Sequence, residues 1–292
     1  MPTETVYGLG VDAENGKAVL RMYGIKGRPA NHPVIVHIGE PADIHYWSTE
    51  IPDYARRLAE RFWPGPMTLI LLRSDKAKDF ITGGQDFVGL RMPAHPMALE
   101  LIAEFKKLGG HGIAAPSANR FGGVSPTNAN DVVSELGEFL EPTDVILDGG
   151  ECEIGLESTI IDCSRALPRI LRLGAITEAM IEEISPIDAD DDLAEIRAPG
   201  TLTRHYSPRA KVVTGRVARA GEGMIALKEV PTSAGAIRLA EPESIEDYGR
   251  QLYAAFRRAD ASGIEVIVVT PPAGDGLAAA IRDRISRASA SE

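Results

Sequence analysis

The chain has 292 residues, 44% of them hydrophobic and 25% charged, with a net charge of −11 and a pI near 5.1. No apolar run approaches the roughly 18 residues needed to span a bilayer, so no membrane role is expected, and two cysteines, Cys152 and Cys163, argue against a disulfide scaffold and fit a reducing cytoplasm. The acidic balance opposes non-specific polyanion binding over the whole surface, whereas basic clusters in "KGRPANHP", "LRMP" and "ILRLG" suit a local pocket for a small anion.

The chain opens "MPTETVYGLG", a hydroxyl- and glycine-rich turn of the kind that usually holds a ligand, with no strand ahead of it to position it. "GLGVDA" nominally satisfies G-x-G-x-x-A, but it lacks that strand and would set Asp12 and Glu14 against a pyrophosphate. The spacing from Gly10 to Lys17 also fails a Walker loop, and Ala18 stands where a hydroxyl would hold magnesium. Apolar, β-branched runs predict strands at 33–38, 67–72, 88–92, 112–117, 144–148, 158–163 and 169–174. Helical stripes fall at 53–63, at 96–109 and after "SPTN", where Asn130 or Asp131 is the expected N-cap and Gly137 the stop. Many strands with interspersed helices and Pro/Gly corners predict an α/β fold with a twisted mixed sheet rather than a regular doubly wound one. The acidic, Pro-flanked stretch from 182 predicts a linker, and the alternating pattern restarts after 209. A helix at 243–259, a buried parallel-type strand at 264–270 and a last helix at 276–287 predict a smaller βα domain. The domains expected are therefore 1–181 and 209–292, joined by a linker at 182–208.

Three segments carry chemistry. In "KGRPANHPVIVHI", Lys26 and Arg28 flank one residue of a turn, a pairing that suits a polyphosphate, although an isolated K-x-R is more often an exposed basic turn. His37 lies inside the apolar strand that follows, so it must find a hydrogen bond or face a cavity. In "GIAAPSANRFGGVSPTNAND" a strand runs into small polar residues and glycines that let backbone N–H groups approach phosphate oxygens; an ordinary strand-to-helix loop reads equally well. In "GLESTIID" and "ILRLGAIT", as in "VGLRMPAHP", an arginine sits in an apolar strand: Arg172 and Arg91 each need an acidic partner or a bound anion.

Taken together, "PTETVYGLG", "KGRPANHPVIVHI", "WPGPMTLIL", "VGLRMPAHP", "APSANRFGGVSPT", "GLESTIID" and "ILRLGAI" resemble, in order and spacing, the YrdC-like threonylcarbamoyl-AMP synthase family. "APGTLTRHYSP" resembles the linker of its two-domain form, which ends in a Rossmann-like domain. The resemblance spans residues 2–208; residues 209–292 match as a shorter βα appendage. It implies a YrdC-like fold around a basic cavity and an L-threonylcarbamoyladenylate synthase, which joins L-threonine, bicarbonate and ATP with Mg2+ into threonylcarbamoyl-AMP and pyrophosphate for the t6A37 modification of tRNA. It further implies a downstream tRNA threonylcarbamoyl transferase machinery as partner, weak tRNA contact and a cytoplasmic location.

Carried over by motif, Lys26 and Arg28 are the catalytic K-x-R pair, and with Ser117, Asn119, Ser125, Arg172 and Tyr206 they surround ATP. His32 lines the same site where the family often has Asn. Thr5, His37, Arg91, Ala115 and Ser158 surround threonine, with Arg91 the natural carboxylate clamp. No dedicated metal ligands are implied, and "TLT" replaces longer, more basic residues before "RHY". The resemblance also implies about two dozen residues, a helix and a strand, ahead of Pro2, without which a neighbouring strand edge is expected to lack its partner. The competing expectation is an RNA-binding regulatory module without synthase activity, which a steep salt dependence would reveal.

Overall fold

Period-two alternation sorts the side chains of the first sheet onto two unlike faces. The computed structural model describes residues 1–188, 196–200 and 205–290. Strands β1 (Val11–Asp12), β2 (Ile35–His37), β3 (Ser48–Glu50), β4 (Met67–Arg73), β5 (Phe87–Arg91), β6 (Ile113–Ala114), β7 (Thr159–Asp162) and β8 (Arg169–Arg172) form a mixed sheet in the order β1-β6-β2-β5-β4-β7-β8, with β3 added on β4. One face turns Val36, Leu69, Leu71, Val88, Leu90 and Ile161 into the main core. This core is closed by Tyr54, Leu58 and Phe62 of the helix Asp53–Phe62. The residues between them, among them Ile35, His37, Arg91 and Ala115, face a cavity instead. Because β2 and β5 run parallel with His37 opposite Arg91, the histidine and the guanidinium stand side by side on that face.

The second sheet joins β9 (Lys211–Val213), β10 (Gly223–Ile225), β11 (Ile237–Ala240) and β12 (Val266–Val269) in the order β11-β10-β12-β9, every pairing parallel. Helices Ile245–Ala261 and Leu277–Ser289 cover it, and the strand expected at 264–270 is the buried β12.

Some expectations need correction. The run 144–148 forms no strand: Arg21 draws Asp144 into a bidentate pair at 2.8 and 2.6 Å, and Ile146 packs on the cluster around Tyr7, Ile25 and Leu136. Val145 is left 75% exposed. The cap of the helix Ala129–Leu136 is Asn128, whose carboxamide oxygen accepts from the Asp131 amide at 2.9 Å, because Asn130 and Asp131 already lie inside the first turn. The run 112–117 pairs regularly only over Ile113–Ala114. A helix the apolar pattern did not announce, Gly16–Lys26, starts at Asn15 and ends on Gly27, whose positive φ of 61° closes the turn that carries Arg28. Part of the expected linker, residues 189–195 and the "TLT" at 201–203, lies outside the described residues. Within the described part, Ile196 and Ala198 pack on Ile35, Ile70 and Ile160, so this segment straps the cavity face of the first sheet. Among the described residues no helix is long and apolar enough to cross a membrane.

Candidate functional site

The cavity is lined by the cationic side chains Arg28, Arg91 and Arg172, by His37, Glu157 and Ser158, and by the strap residues Pro199, Gly200, His205 and Tyr206. Its volume is about 50 Å³, room for a few waters. Each cation is brought there by a different element. Lys26 ends the first helix with its ammonium buried; it donates to the carbonyls of Ser117 and, at 2.5 Å, Asn119, tying the K-x-R turn to the Pro-Ser-Ala-Asn corner. Burial, reinforced by Arg28, pushes the Lys26 ammonium well below its usual pKa. Arg28 donates to the Pro33 carbonyl at 2.5 Å, and burial lowers it to about 10.

Arg91 finds an acidic partner that the sequence pattern did not single out. Glu4, 4% exposed, accepts from its Nη2 at 2.7 Å and from the Ala94 amide at 3.0 Å. Arg172 grips carbonyls: its Nε and Nη2 donate to the Ser158 carbonyl at 3.0 and 2.9 Å, and its Nη1 to that of Pro199 on the strap at 3.0 Å. His37 is buried; burial first, then the Arg91 charge, lowers its pKa to about 3, so it is neutral at physiological pH. His205 is lowered to about 3 by burial, Glu157 opposing and the nearby Arg28, Lys26 and Arg172 assisting.

Several buried polar atoms here have no hydrogen-bond partner among the described residues: the Nε of Arg28 and of Arg91, the Nδ1 of His37 and of His205, and the hydroxyl of Tyr206 all belong to lining residues. Unpaired buried polar atoms on this scale are rare in a folded interior unless a polar ligand shares the site. Of the residues expected at the site, Arg28, His37, Arg91, Ala115, Ser117, Ser158, Arg172 and Tyr206 line the cavity. Lys26 and Asn119 stand behind them, the Asn119 side chain donating to the Arg120 and Gly123 carbonyls at 2.7 and 2.9 Å. Thr5 is fully buried and bonds Thr3 at 2.9 Å, and it is Thr3 that reaches the lining. Ser125 donates to Glu157 at 2.6 Å, and His32 packs edge-on to Phe121 at 5.4 Å, outside the cavity wall. Glu4 and Glu157 were missed. The signal for Glu4 was the need of the strand residue Arg91 for a carboxylate, which a sequence poses without naming the partner; Glu157, paired with Arg284 of the helix Leu277–Ser289, had none.

Fold and cavity define an α/β protein with three guanidinium groups gathered around one small cavity. The comparisons with known proteins narrow that class. The family model for Sua5, YciO and YrdC, described as "Telomere recombination", matches residues 1–174, and that described as "Threonylcarbamoyl-AMP synthase, C-terminal domain" matches residues 176–290. The chain belongs to the Sua5/YrdC threonylcarbamoyl-AMP synthase family, in its two-domain form. It is 39% identical to the threonylcarbamoyl-AMP synthase of Pyrococcus abyssi, over 99% of this chain and 89% of that one. It is 36% identical to the synthase of Bacillus subtilis, over 98% and 88%. The structure matches that of P. abyssi Sua5 complexed with L-threonine with a TM-score of 0.87 at 37% identity, covering 99% of this chain and 89% of the other.

Proposed function

We infer that the protein is an L-threonylcarbamoyladenylate synthase, a nucleotidyltransferase that makes threonylcarbamoyl-AMP and pyrophosphate from L-threonine, bicarbonate and ATP. The observation that carries this reading is the gathering of Arg28, Arg91 and Arg172, with unpartnered donors, around one buried cavity in a chain of this family. Arg91, steadied by Glu4, offers its free Nε to the threonine carboxylate; neutral His37 beside it adds no competing charge, and Thr5, Ala115 and Ser158 complete that end. Threonine's amine attacks the bicarbonate carbon and water leaves, giving a carbamate. A carbamate oxygen then attacks the α-phosphorus and pyrophosphate departs. The protein supplies position and positive charge rather than a nucleophile. Lys26, Arg28 and Arg172 balance the charge that builds on the phosphates; Ser117 and Tyr206 shape the nucleotide end from the wall, Asn119 and Ser125 support it, and His32, outside the present wall, meets the nucleotide once the strap opens.

A cavity of about 50 Å³ is far smaller than ATP, so Pro199, Gly200, His205 and Tyr206 must open to admit it and close again over the bound nucleotide. Among the described residues no group of three or more His, Cys, Asp or Glu side chains could hold a metal ion. This donor set does not fit a protein-built cage, so magnesium belongs to the polyphosphate it accompanies. In this reading the catalytic domain is residues 1–181 and the second domain 209–292. The product passes to a tRNA threonylcarbamoyl transferase in the cytoplasm for t6A37 formation, with at most weak tRNA contact by a surface of net charge −11. The test is pyrophosphate release by the purified protein, expected only when L-threonine, bicarbonate and ATP are all present; release that ignores threonine would overturn the reading.

A further inference from the structure

The second domain reaches residues of the cavity wall through buried side chains that the proposed chemistry leaves unused. Glu157, a lining residue, is gripped from both domains: Ser125 donates to it at 2.6 Å, Tyr253 of the helix Ile245–Ala261 at 2.9 Å, and Arg284 of the helix Leu277–Ser289 at 3.0 Å. Arg284 is fully buried and also donates to the Leu173 carbonyl at 2.8 Å, one residue beyond Arg172. Both second-domain residues converge on the strap. The Tyr253 ring stacks on Tyr206 at 5.7 Å and 26°, and the Arg284 guanidinium lies over the Tyr206 ring at 5.1 Å.

Tyr206 is a residue in need of such support. Among the described residues it is the one non-glycine with positive φ, at 59°, a backbone state that persists only where its surroundings over-determine it. Its buried hydroxyl has no partner and belongs to the cavity wall. The clamp is electrically settled: burial alone would raise the Glu157 carboxyl, but the charges of Arg284 and Arg172 and the bonds from Ser125 and Arg284 bring it below its ordinary pKa, so it stays ionised.

We propose that Tyr253 and Arg284 are positioning residues for nucleotide use: with Glu157 they form a latch by which the second domain fixes Tyr206 over the nucleotide end of the cavity. This rests on the synthase reading and deepens it. The contacts address Tyr206, Glu157 and the Arg172 end of the site, while Arg91 and Glu4, the proposed threonine end, are held without them. The two substrates are therefore affected unequally.

The experiment measures KM for ATP and for L-threonine separately in the full chain. Tyr253→Leu, which loses both stack and hydrogen bond, is expected to raise KM for ATP about tenfold and KM for threonine less than about twofold. Tyr253→Phe, which keeps the ring and fits the same space, is expected to raise KM for ATP about threefold, recovering part of that loss. Adding Tyr253→Leu to Tyr206→Ala is expected to change nothing further, since the residue being positioned is gone. Equal shifts for both substrates, additive effects in the double variant, or a folded Tyr253→Phe with a lower Tm and an unchanged KM for ATP would overturn the proposal. An inactive wild type would instead overturn the synthase reading on which it rests.

Discussion

The two sheets of the molecule use the same alternation of side chains to opposite ends. In the second, both faces are apolar: Ile225, Ile267 and Val269 enter one cluster while Met224 and Val268 enter another, so the parallel strands are buried on both sides. In the first, one face builds a core of the same kind and the other is given to arginines, a histidine and a strap. The first sheet sets packing aside on one face to keep charges in place; the second is a scaffold from whose covering helices Tyr253 and Arg284 reach Glu157. Burying guanidinium groups with unpartnered Nε atoms is costly for stability, which is what a site held ready for an anion requires.

If that contrast is right, the largest effect comes from the first sheet's basic turn. Lys26→Ala and Arg28→Ala are each expected to lower kcat/KM at least about a thousandfold while the circular dichroism spectrum is retained. Near-normal turnover in both variants would remove the turn from the site. A scaffold substitution should behave in the opposite way. Ile267→Ala, at a fully buried centre of β12, is expected to cost about 2–5 kcal/mol of stability in urea titrations and to leave the threonine KM of the folded enzyme unchanged. Between them stands Arg91→Ala, expected to cost about 2–3 kcal/mol in threonine recognition, seen as a raised threonine KM with little change for ATP. Equal changes for both substrates would misplace the clamp.

The smallest effect concerns pH. His37 remains neutral in the fold down to about 3, against an ordinary value of 6.5 in the unfolded chain. Between these values the unfolded state binds more protons, so stability falls as pH drops below about 6.5. From about pH 7 to about pH 5, His37 alone accounts for about 2 kcal/mol, which His37→Gln should remove from the Tm profile. Identical profiles in wild type and variant would show that His37 is not buried as a neutral group.

The strands of the first sheet were legible because β-branched runs such as "PVIVHI" and "MTLILL" record a buried face directly. The amphipathic helix at Asp53 was legible for the same reason. The helix Gly16–Lys26 was not: Leu20 is 57% exposed and Gly24 interrupts it, so no clean stripe appears. At 144–148 a strand-like run was overruled by the Arg21–Asp144 pair, a contact between residues more than a hundred positions apart. The site divides in the same way. That Arg91 and Arg172 needed partners followed from their setting in apolar strands; that one took Glu4 and the other carbonyls of the Ser158 turn and the strap depended on the tertiary path. The latch of Glu157, Tyr253 and Arg284 joins three distant segments and left no local trace in the sequence.

The central claim is that this cavity assembles a threonylcarbamoyl-adenylate. The direct measurement is mass spectrometry of the product formed by the purified chain from ATP, L-threonine and isotopically labelled bicarbonate. The account predicts an AMP adduct that carries both threonine and the bicarbonate label, formed in step with pyrophosphate. Pyrophosphate or AMP without a labelled adduct, under conditions in which the adduct survives, would contradict it.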